Sequence, residues 1–404
     1  MKSQHDVVVI GSGISGASLA HACAQAGLSV LVVEKSGAPG GCIRSHRLDG
    51  GYWFELGAHT CYNSYRGLLG LLEEKSALDK IVPRAKVPFR LYSGGRTHSI
   101  VSELSILSLL AHAPSVAFTK KEGRTVRGYY ERLVGKGNYD RIFGPMFAAV
   151  PSQKADEFPS DMLFKKRERR KELPRSFTLS GGLQTIVDVL LEDPRITTAL
   201  SAEAKAVERE GEGFRIRFAD GSERTARFLA LAAPPSVGAQ ILRGAFPAVA
   251  DELAKIKVTP VSTTAVVVSK DSTKIEPLAF LIPLDDDRFY SAVSRDTVPD
   301  PTYRAFAFHF KPGISEEQRQ ALAAEVLKVD RGALQHVVQR SVELPSPRMG
   351  HRDIVAALDK ALAGTPLFLT GNYFDGLSIE DCVSRSRVES ERLLKAAGAA
   401  VAPS

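Results

Sequence analysis

Apolar residues fall along the chain in short blocks whose spacing switches between strand and helix patterns. Val7-Val8-Val9-Ile10 is a continuous β-branched run, the pattern of a strand buried on both faces, and residues 28–33 repeat it. Between them an alanine-rich stretch runs to Ala26 and stops at Gly27, which predicts a helix with a glycine terminator. Together they make a βαβ unit of about 30 residues, and a βαβ unit implies a parallel sheet. Beyond it the pattern predicts a helix after Gly67 (Leu68, Leu69, Leu71, Leu72), a strand at 89–92 with a turn at Gly94-Gly95, and a mostly helical stretch over 102–175. A helix is predicted at 183–191 after Gly181-Gly182, then three strands near 205–208, 214–218 and 228–231, with Asp220-Gly221 as a hairpin turn. Residues 260–310 alternate β-branched and aromatic runs, the mark of an antiparallel sheet. A helix at 315–326, a strand at 367–369 and a closing helix from about Ile379 to Ala397 complete the chain.

The fold class this order predicts is α/β: a Rossmann-like dinucleotide-binding domain interleaved with an α+β substrate domain and a helical insert. The expected boundaries are 1–83 for the first part of the binding domain, 84–101 for substrate-domain strands and 102–175 for the insert. Residues 176–258 form the second binding part, 259–340 the substrate domain and 341–404 the last binding part. No long internal repeat and no low-complexity linker interrupts them. At 404 residues, 44% apolar and 25% charged, the composition is that of an ordinary globular protein and excludes a disordered or collagen-like chain.

Charge is unevenly placed. Of the formal +7, a net +6 lies between Ser102 and Arg175, and residues 165–171 alone carry +5. Cys23, Cys42, Cys61 and Cys382 are too widely spread for a disulfide scaffold or a zinc pair, so a reducing, cytoplasmic setting is expected and no metal. The first apolar run is read as a strand and not as the core of a signal peptide. The most apolar later stretch, 104–118, is shorter than a spanning helix and contains His112 and Pro114.

Chemistry enters at Gly11-Ser12-Gly13-Ile14-Ser15-Gly16. Glycines at this spacing are a weak signal alone, but here they sit between a buried strand and a helix. Gly11 permits the tight turn, Gly13 lets a pyrophosphate approach the backbone, and Gly16 permits close helix–strand packing. The helix start at Ile14 and Ser15 offers free amides to phosphate. Glu34, 18 residues beyond Gly16 at the end of the second strand and followed by Lys35, can accept from a ribose hydroxyl. A second glycine pair, Gly40-Gly41, with Arg44 and Ser45, lets another backbone segment approach the same pyrophosphate, and Arg44 adds charge-assisted bonds. Gly57, Ala58 and His59 then form a turn whose small residues can abut a flat ring. This second set points to FAD over NAD.

These residues resemble the flavin-dependent amine oxidase superfamily: Gly11/Gly13/Gly16, Glu34 and Gly40-Gly41…Ser45 stand where that family has its glycine motif, acidic strand end and glycine-pair loop. The stretch 176–185 is similar to its later Gly-Gly segment. Residues 144–150, 344–345, 350–351, 367–373 and 376–383 look most like the protoporphyrinogen oxidase branch. The resemblance implies non-covalent FAD, with Gly371 and Asn372 near the ribityl and pyrophosphate, Gly376 to Ile379 (Ser378 included) along the flavin ring, and Ala204 beside the adenine. It implies an oxidase that removes hydrides from a porphyrinogen through flavin N5, with oxygen or another acceptor; an amine or polyene substrate, or a tetrapyrrole-binding flavoprotein without turnover, are the alternatives. Departures are Cys42 where the loop often has Arg, and Phe89 where some members place an arginine for a substrate carboxylate, with Arg90 next to it. No catalytic triad stands out, and hydride transfer from a macrocycle needs none. His59 is the histidine nearest the flavin face, and it is read first as a packed or backbone-bonded one. The basic insert is compatible with a solvated helix face, with steering of a carboxylate-bearing substrate, and with a peripheral contact at the inner membrane surface; nucleic acid is not expected, because no aromatic platform or reading module accompanies the charge.

Overall fold

A computed structural model describes residues 4–399. Two seven-stranded sheets carry the architecture. The first is built from Gln4–Ile10, Val30–Val33, Ile196–Ala199, Ala204–Glu210, Gly213–Phe218, Glu223–Leu231 and Leu367–Leu369. Gln4–Ile10 lies parallel between Val30–Val33 and Glu223–Leu231, and Leu367–Leu369 adds in parallel to the latter. The run Val7 to Val9 is wholly buried, as a strand covered on both faces must be. On one face pack Ile14–Gln25 and the closing helix Ile379–Ala397, around Leu19, Ala20, Phe368 and Leu393; on the other lie Leu229, Leu231, Leu242, Leu253 and Leu358.

The second sheet runs Gln335–Pro345, Val258–Ser269, Tyr303–Phe310, Phe289–Ser294, Phe280–Pro283, Phe89–Ser93 and Arg96–Ser99. Its core is aromatic: Phe289, Phe306, Phe308 and Phe310 are buried against Leu322 and Val326 of the helix Glu316–Leu327. Strands from 89–99 and 258–345 therefore share one sheet, while the first sheet gathers 4–33, 196–231 and 367–369. The strand Gln335–Pro345 runs across the expected boundary at 340/341.

The segment 102–175 differs from its sequence reading. Short helices fill only its first part: Ile100–Glu103, Ile106–His112, Ser115–Phe118, Val126–Val134 and Gly144–Ala149. From Val150 to Arg175 the only regular element is one turn of 3-10 helix, Ser160–Met162, and residues 165–170 are irregular. Pro151, Pro159 and Pro174 break the ladder, and six cations in seven positions would repel along a helix face. The basic run is not a solvated helix face. Lys165 Nζ and Arg167 Nη2 each lie 2.7 Å from Asp381 Oδ1, and Arg170 pairs with Glu73 at 2.8 Å.

Candidate functional site

The parallel strands end where the glycine motif begins. Gly11 takes φ +105°, and a Cβ there would meet Ala232 O at 2.7 Å. A Cβ on Gly16 would come 1.9 Å from Gly11 O, so helix and strand approach as only glycine allows. Gly13 caps Ile14–Gln25 without a side-chain hydrogen bond, which leaves the first-turn amides, those of buried Ile14 and Ser15 among them, without a side-chain acceptor. The second glycine pair folds directly onto this turn. Gly40 N donates to Ser12 O at 3.0 Å, Gly13 and Gly40 form a parallel bridge, and a Cβ on Gly41 would stand 2.9 Å from Gly13 Cα.

Glu34 ends the second strand beside them. Its carboxylate accepts from Ser12 N and Oγ at 3.1 and 3.0 Å, and from Ser36 N and Oγ at 2.9 and 2.7 Å. Burial raises its pKa, but these four donors outweigh burial and hold it below the usual glutamate range. Lys35 points to solvent. Ala202 N donates to Glu34 O at 2.8 Å, which brings the start of Ala204–Glu210 to the acidic strand end. Arg340 Nη1 is buried without a hydrogen-bond partner, in the electrostatic company of Cys42, Arg44 and Glu34. The sequence reading missed Arg340; nothing in its local pattern distinguishes it.

The C-terminal motif reaches the same place. Thr370 N donates to Leu231 O at 3.0 Å, and Ser386 Oγ bridges Thr370 Oγ1 (2.8 Å) and Ser15 O (2.9 Å). Gly371 thus follows its strand beside the Gly11 turn, at the carboxyl ends of parallel strands where dinucleotides bind. Gly371 and Gly376 have no room for a Cβ, which would meet Tyr373 Cε1 and Asp381 Oδ2, each at 2.6 Å. Asn372 is half-buried next to Gly371. Ser378 and Asp381 form a reciprocal cap that starts the helix at Ile379, and Glu380 reaches across to the backbone amides of Gly67 and Leu68 at 2.8 and 3.1 Å.

Not every expected residue turns toward this cradle. Ser45 is buried, donates from Oγ to Glu55 Oε2 at 2.6 Å and accepts from Gln184 N at 3.1 Å, so its hydroxyl ties two loops together. Gly57 and Ala58 lie on the glycine-pair loop: Ala58 N donates to Cys42 O at 2.9 Å, and a Cβ on Gly57 would meet that oxygen at 2.3 Å. His59 packs edge-on to Phe280, ring centres 4.8 Å apart, with Nδ1 3.3 Å from Gly57 O. Burial and the nearby Arg84 charge push its pKa down to about 3, so it is neutral at pH 7.

Gly57 and His59 also line a small cavity of about 30 Å³ with Trp53, Phe54, Glu55, Arg84, Thr178, Arg295, Phe306 and neighbours. Glu55 and the two arginines were not singled out from sequence; a carboxylate inside the apolar run Trp53-Phe54-Glu55-Leu56 was the available signal. Leu183 N donates to Glu55 Oε1 at 2.9 Å, and burial raises its pKa to about 7 against these hydrogen bonds.

The contiguous glycine cradle, the free helix start and the buried, unpartnered Arg340 donor fit FAD. The residues that would hold it are Gly11, Gly13, Gly16, Gly40, Gly41 and Glu34, with Arg44 and Arg340 for the phosphates. A nucleotide cradle at the switch point of one sheet, facing a cavity walled by a second, mostly antiparallel sheet, defines the two-domain flavin oxidoreductases.

Comparison with known proteins narrows that class. The profile described as NAD(P)-binding Rossmann-like domain matches residues 9–74, and that described as flavin containing amine oxidoreductase matches residues 108–394. The chain belongs to the flavin containing amine oxidoreductase family, a family of flavin-dependent oxidoreductases. It is 27% identical over 240 residues to the mitochondrial protoporphyrinogen oxidase of Nicotiana tabacum, covering 47% of each chain. It is 31% identical over 75 residues to the 15-cis-phytoene desaturase of Synechococcus elongatus, covering 19% of this chain and 16% of the other. The chain thus spans about half the length of the tobacco relative, and less of the desaturase. Among solved structures, a candidate protoporphyrinogen oxidase from Exiguobacterium sp. 255-15 superposes with TM-score 0.77 at 18% identity, over 97% of this chain and 99% of that one. A reduced UDP-galactopyranose mutase superposes with TM-score 0.74 at 15% identity, over 98% and 96%. These likenesses establish the fold.

Proposed function

We propose that the protein oxidises a porphyrinogen, protoporphyrinogen IX to protoporphyrin IX in three two-electron steps, with non-covalently bound FAD and oxygen or another acceptor. The observation that carries this reading is the C-terminal constellation from Gly371 to Ile379, docked on the Gly11 turn through Ser386 and Ser15. It is the part of the chain most like the protoporphyrinogen oxidases, and the match to the tobacco enzyme supports it. FAD, when bound, supplies a two-electron acceptor that takes hydride from carbon. The chain's part is to position that carbon and exclude water. The cavity beside Gly57 and His59 has walls of Trp53, Phe54, Val293 and Phe306, and neutral His59 leaves it without a cationic imidazole. At about 30 Å³ it is far below the roughly 300–1,000 Å³ of small-ligand sites, so a macrocycle would lie outside it. Anaerobic mixing tests the reading. Protoporphyrinogen IX should bleach the flavin absorbance and yield porphyrin fluorescence; bleaching only by amines, or by no candidate, overturns it.

On the same reading the helical segment rests on a membrane surface. Val101, Ile106, Leu107, Leu110, Val116 and Phe118 are all more than half exposed, Leu107 at 81% and Phe118 at 85%, on three consecutive short helices. Solvent-facing apolar groups clustered this way mark an interaction surface. Lys120, Lys121, Arg124 and Arg132 lie nearby in sequence, and a cation near anionic lipid contributes about 1 kcal/mol. Among the described residues no helix is long and apolar enough to cross a membrane, so contact would be peripheral. Co-sedimentation with phosphatidylglycerol vesicles should be lost on Leu107→Glu with Phe118→Glu; unchanged sedimentation refutes the contact.

A further inference from the structure

The helical segment holds a second cavity, and its size suits a ligand. At about 590 Å³ it falls inside the roughly 300–1,000 Å³ of small-ligand sites, unlike the narrow space beside Gly57. His112, Ser115, Thr119, Thr125, Arg132 and Lys136 are among its lining residues. The walls are fastened to each other. Buried Asn138 accepts from Ser105 N at 2.9 Å and donates to Ser105 O and Val134 O at 3.0 and 2.9 Å, while Ser108 Oγ donates to Val134 O at 3.2 Å. Gly135 takes φ +81°, and a Cβ there would meet Ser108 Oγ at 2.2 Å and His112 Cε1 at 3.0 Å. The helix Ile106–His112 is thereby pinned to the end of Val126–Val134, so the hollow beside them is a built feature of the fold.

The groups left without a partner in this wall can all donate. Arg127 is taken by Asp140 at 2.7 Å and Glu131 at 3.3 Å, with Asp156 at 3.9 Å, and Lys136 also pairs with Asp140. The local acids are therefore committed. Among the described residues Arg132 makes no ion pair, and the hydroxyls of Ser115 and Thr119 make no hydrogen bond. Thr125 Oγ1 accepts from Gly128 N at 3.0 Å, which leaves its hydrogen free to donate. Gly128 shares a helix face with Arg132 and leaves the floor of the cavity without a side chain. One guanidinium and three hydroxyls thus surround one hollow, and an anion with several acceptor oxygens satisfies them together. Lys120, Lys121 and Arg124, against Glu122, add to the attraction from the connecting turn.

Two short helices divide their faces between this hollow and solvent. Ser115 and Thr119, four positions apart, line the cavity, whereas Val116 and Phe118 are more than half exposed. On the preceding helix His112 lines the cavity, while Leu107 and Leu110 are exposed. An anionic head in the hollow would carry its own apolar tail onto these side chains, and a free phosphate ester would leave them in water.

We propose that this cavity seats the phosphodiester of an anionic phospholipid: Arg132, Ser115, Thr119 and Thr125 take the phosphate, and Leu107, Leu110, Val116 and Phe118 lie against the acyl chains. The inference rests on the helical segment meeting a membrane surface, and it adds where one lipid head is held and by which groups. It does not depend on the substrate that is oxidised.

Purified protein carrying its flavin is titrated by calorimetry with dihexanoylphosphatidylglycerol below its micelle concentration, with glycerophosphate and with octyl glucoside. The lipid should saturate one site. Glycerophosphate keeps only the phosphate and octyl glucoside only a tail, so each should bind at least about tenfold more weakly. Arg132→Gln, and Ser115→Ala with Thr119→Val, should each weaken the lipid about tenfold with the thermal midpoint unchanged, because these side chains hold no other part of the chain. Lys166→Gln removes an exposed cation that does not line the cavity and should change nothing. No lipid binding, or undiminished binding in either cavity variant, overturns the proposal. Equal affinity for glycerophosphate would make this a free phosphate-ester site, equal affinity for octyl glucoside an apolar adsorption, and an equal loss in Lys166→Gln a diffuse charge effect; each overturns it too. If the seat fails while wild type still sediments with phosphatidylglycerol vesicles, the membrane contact stands alone. Arg132-dependent lipid binding without vesicle sedimentation strikes that contact and leaves the seat, so the two failures are distinguishable.

Discussion

Glu55 should make stability fall as pH rises through the neutral range, opposite to the usual carboxylate. Its pKa is raised from the ordinary 4.5 to about 7, chiefly because burial penalises the charged form more than Ser45, Leu183 and the charges of Arg295 and Arg47 favour it. Between pH 4.5 and 7 the folded protein therefore holds a proton that the unfolded chain releases. Stability rises with pH only where the unfolded state binds more protons, so here it falls. The cost is absent below pH 4.5 and complete above pH 7, and at 1.4 kcal/mol per tenfold it amounts to about 3 kcal/mol. Glu55→Gln keeps the shape and stays neutral: its amide oxygen can still accept from Leu183 N, and its nitrogen can donate to Ser45 Oγ. Unfolding free energies of wild type and variant should be measured between pH 4 and 8. Their difference should shift in favour of Gln by about 3 kcal/mol across that window. Parallel curves would refute the argument, since a titration that does not differ between the two proteins is not that of Glu55.

Three further outcomes follow from other parts of the site. Gly13→Asp places a side chain 3.6 Å from Gly41 Cα and a negative charge where a diphosphate would lie, so purified variant should lose the flavin spectrum; retained flavin refutes the N-terminal cradle. Asp381→Asn leaves Lys165 and Arg167 facing the positive start of the closing helix, and with both cations mostly buried the loss should be roughly 3 kcal/mol, read from the unfolding free energy at neutral pH. Burial raises the pKa of Asp381, but Lys165, Ser378 and Arg167 hold it below the usual range, so in wild type this stability is present above about pH 4 and disappears on further acidification. Acid precipitation should release all flavin into the supernatant; yellow colour in the pellet would indicate a covalent link.

Local pattern made the binding domain legible because its signals are confined to few residues. The Gly11 to Gly16 turn, the Asp220-Gly221 hairpin and the closing helix Ile379–Ala397 all lie where spacing and turn chemistry place them. The helices Pro235–Leu242 and Pro247–Lys255 are absent from the sequence reading, since each is short and opens on a proline that argues locally for a loop; His351–Leu362, after Gly350, is absent from it too. The cavity was illegible for a different reason. Its wall takes residues from 53–59, Arg84, Thr178 and 293–307, four stretches with no common pattern, joined only when both sheets form.

The basic run shows what charge counting can and cannot carry. Six cations between 165 and 171 suggest an external anion when only neighbours in sequence are considered. In the fold, Lys165 and Arg167 converge on Asp381, Arg170 takes Glu73 and Glu172, and Lys165 also donates to Asp375 O at 2.6 Å. The run therefore clamps an irregular segment onto the start of the helix that carries the C-terminal flavin motif, and Gly376, with no space for a Cβ beside Asp381, is held by the same contact. Of the run's six cations only Lys166, Arg169 and Lys171 remain exposed. The acids that answer this run stand at positions 73, 172 and 381, so only the fold, and not a count along the chain, shows that the anion is the chain's own.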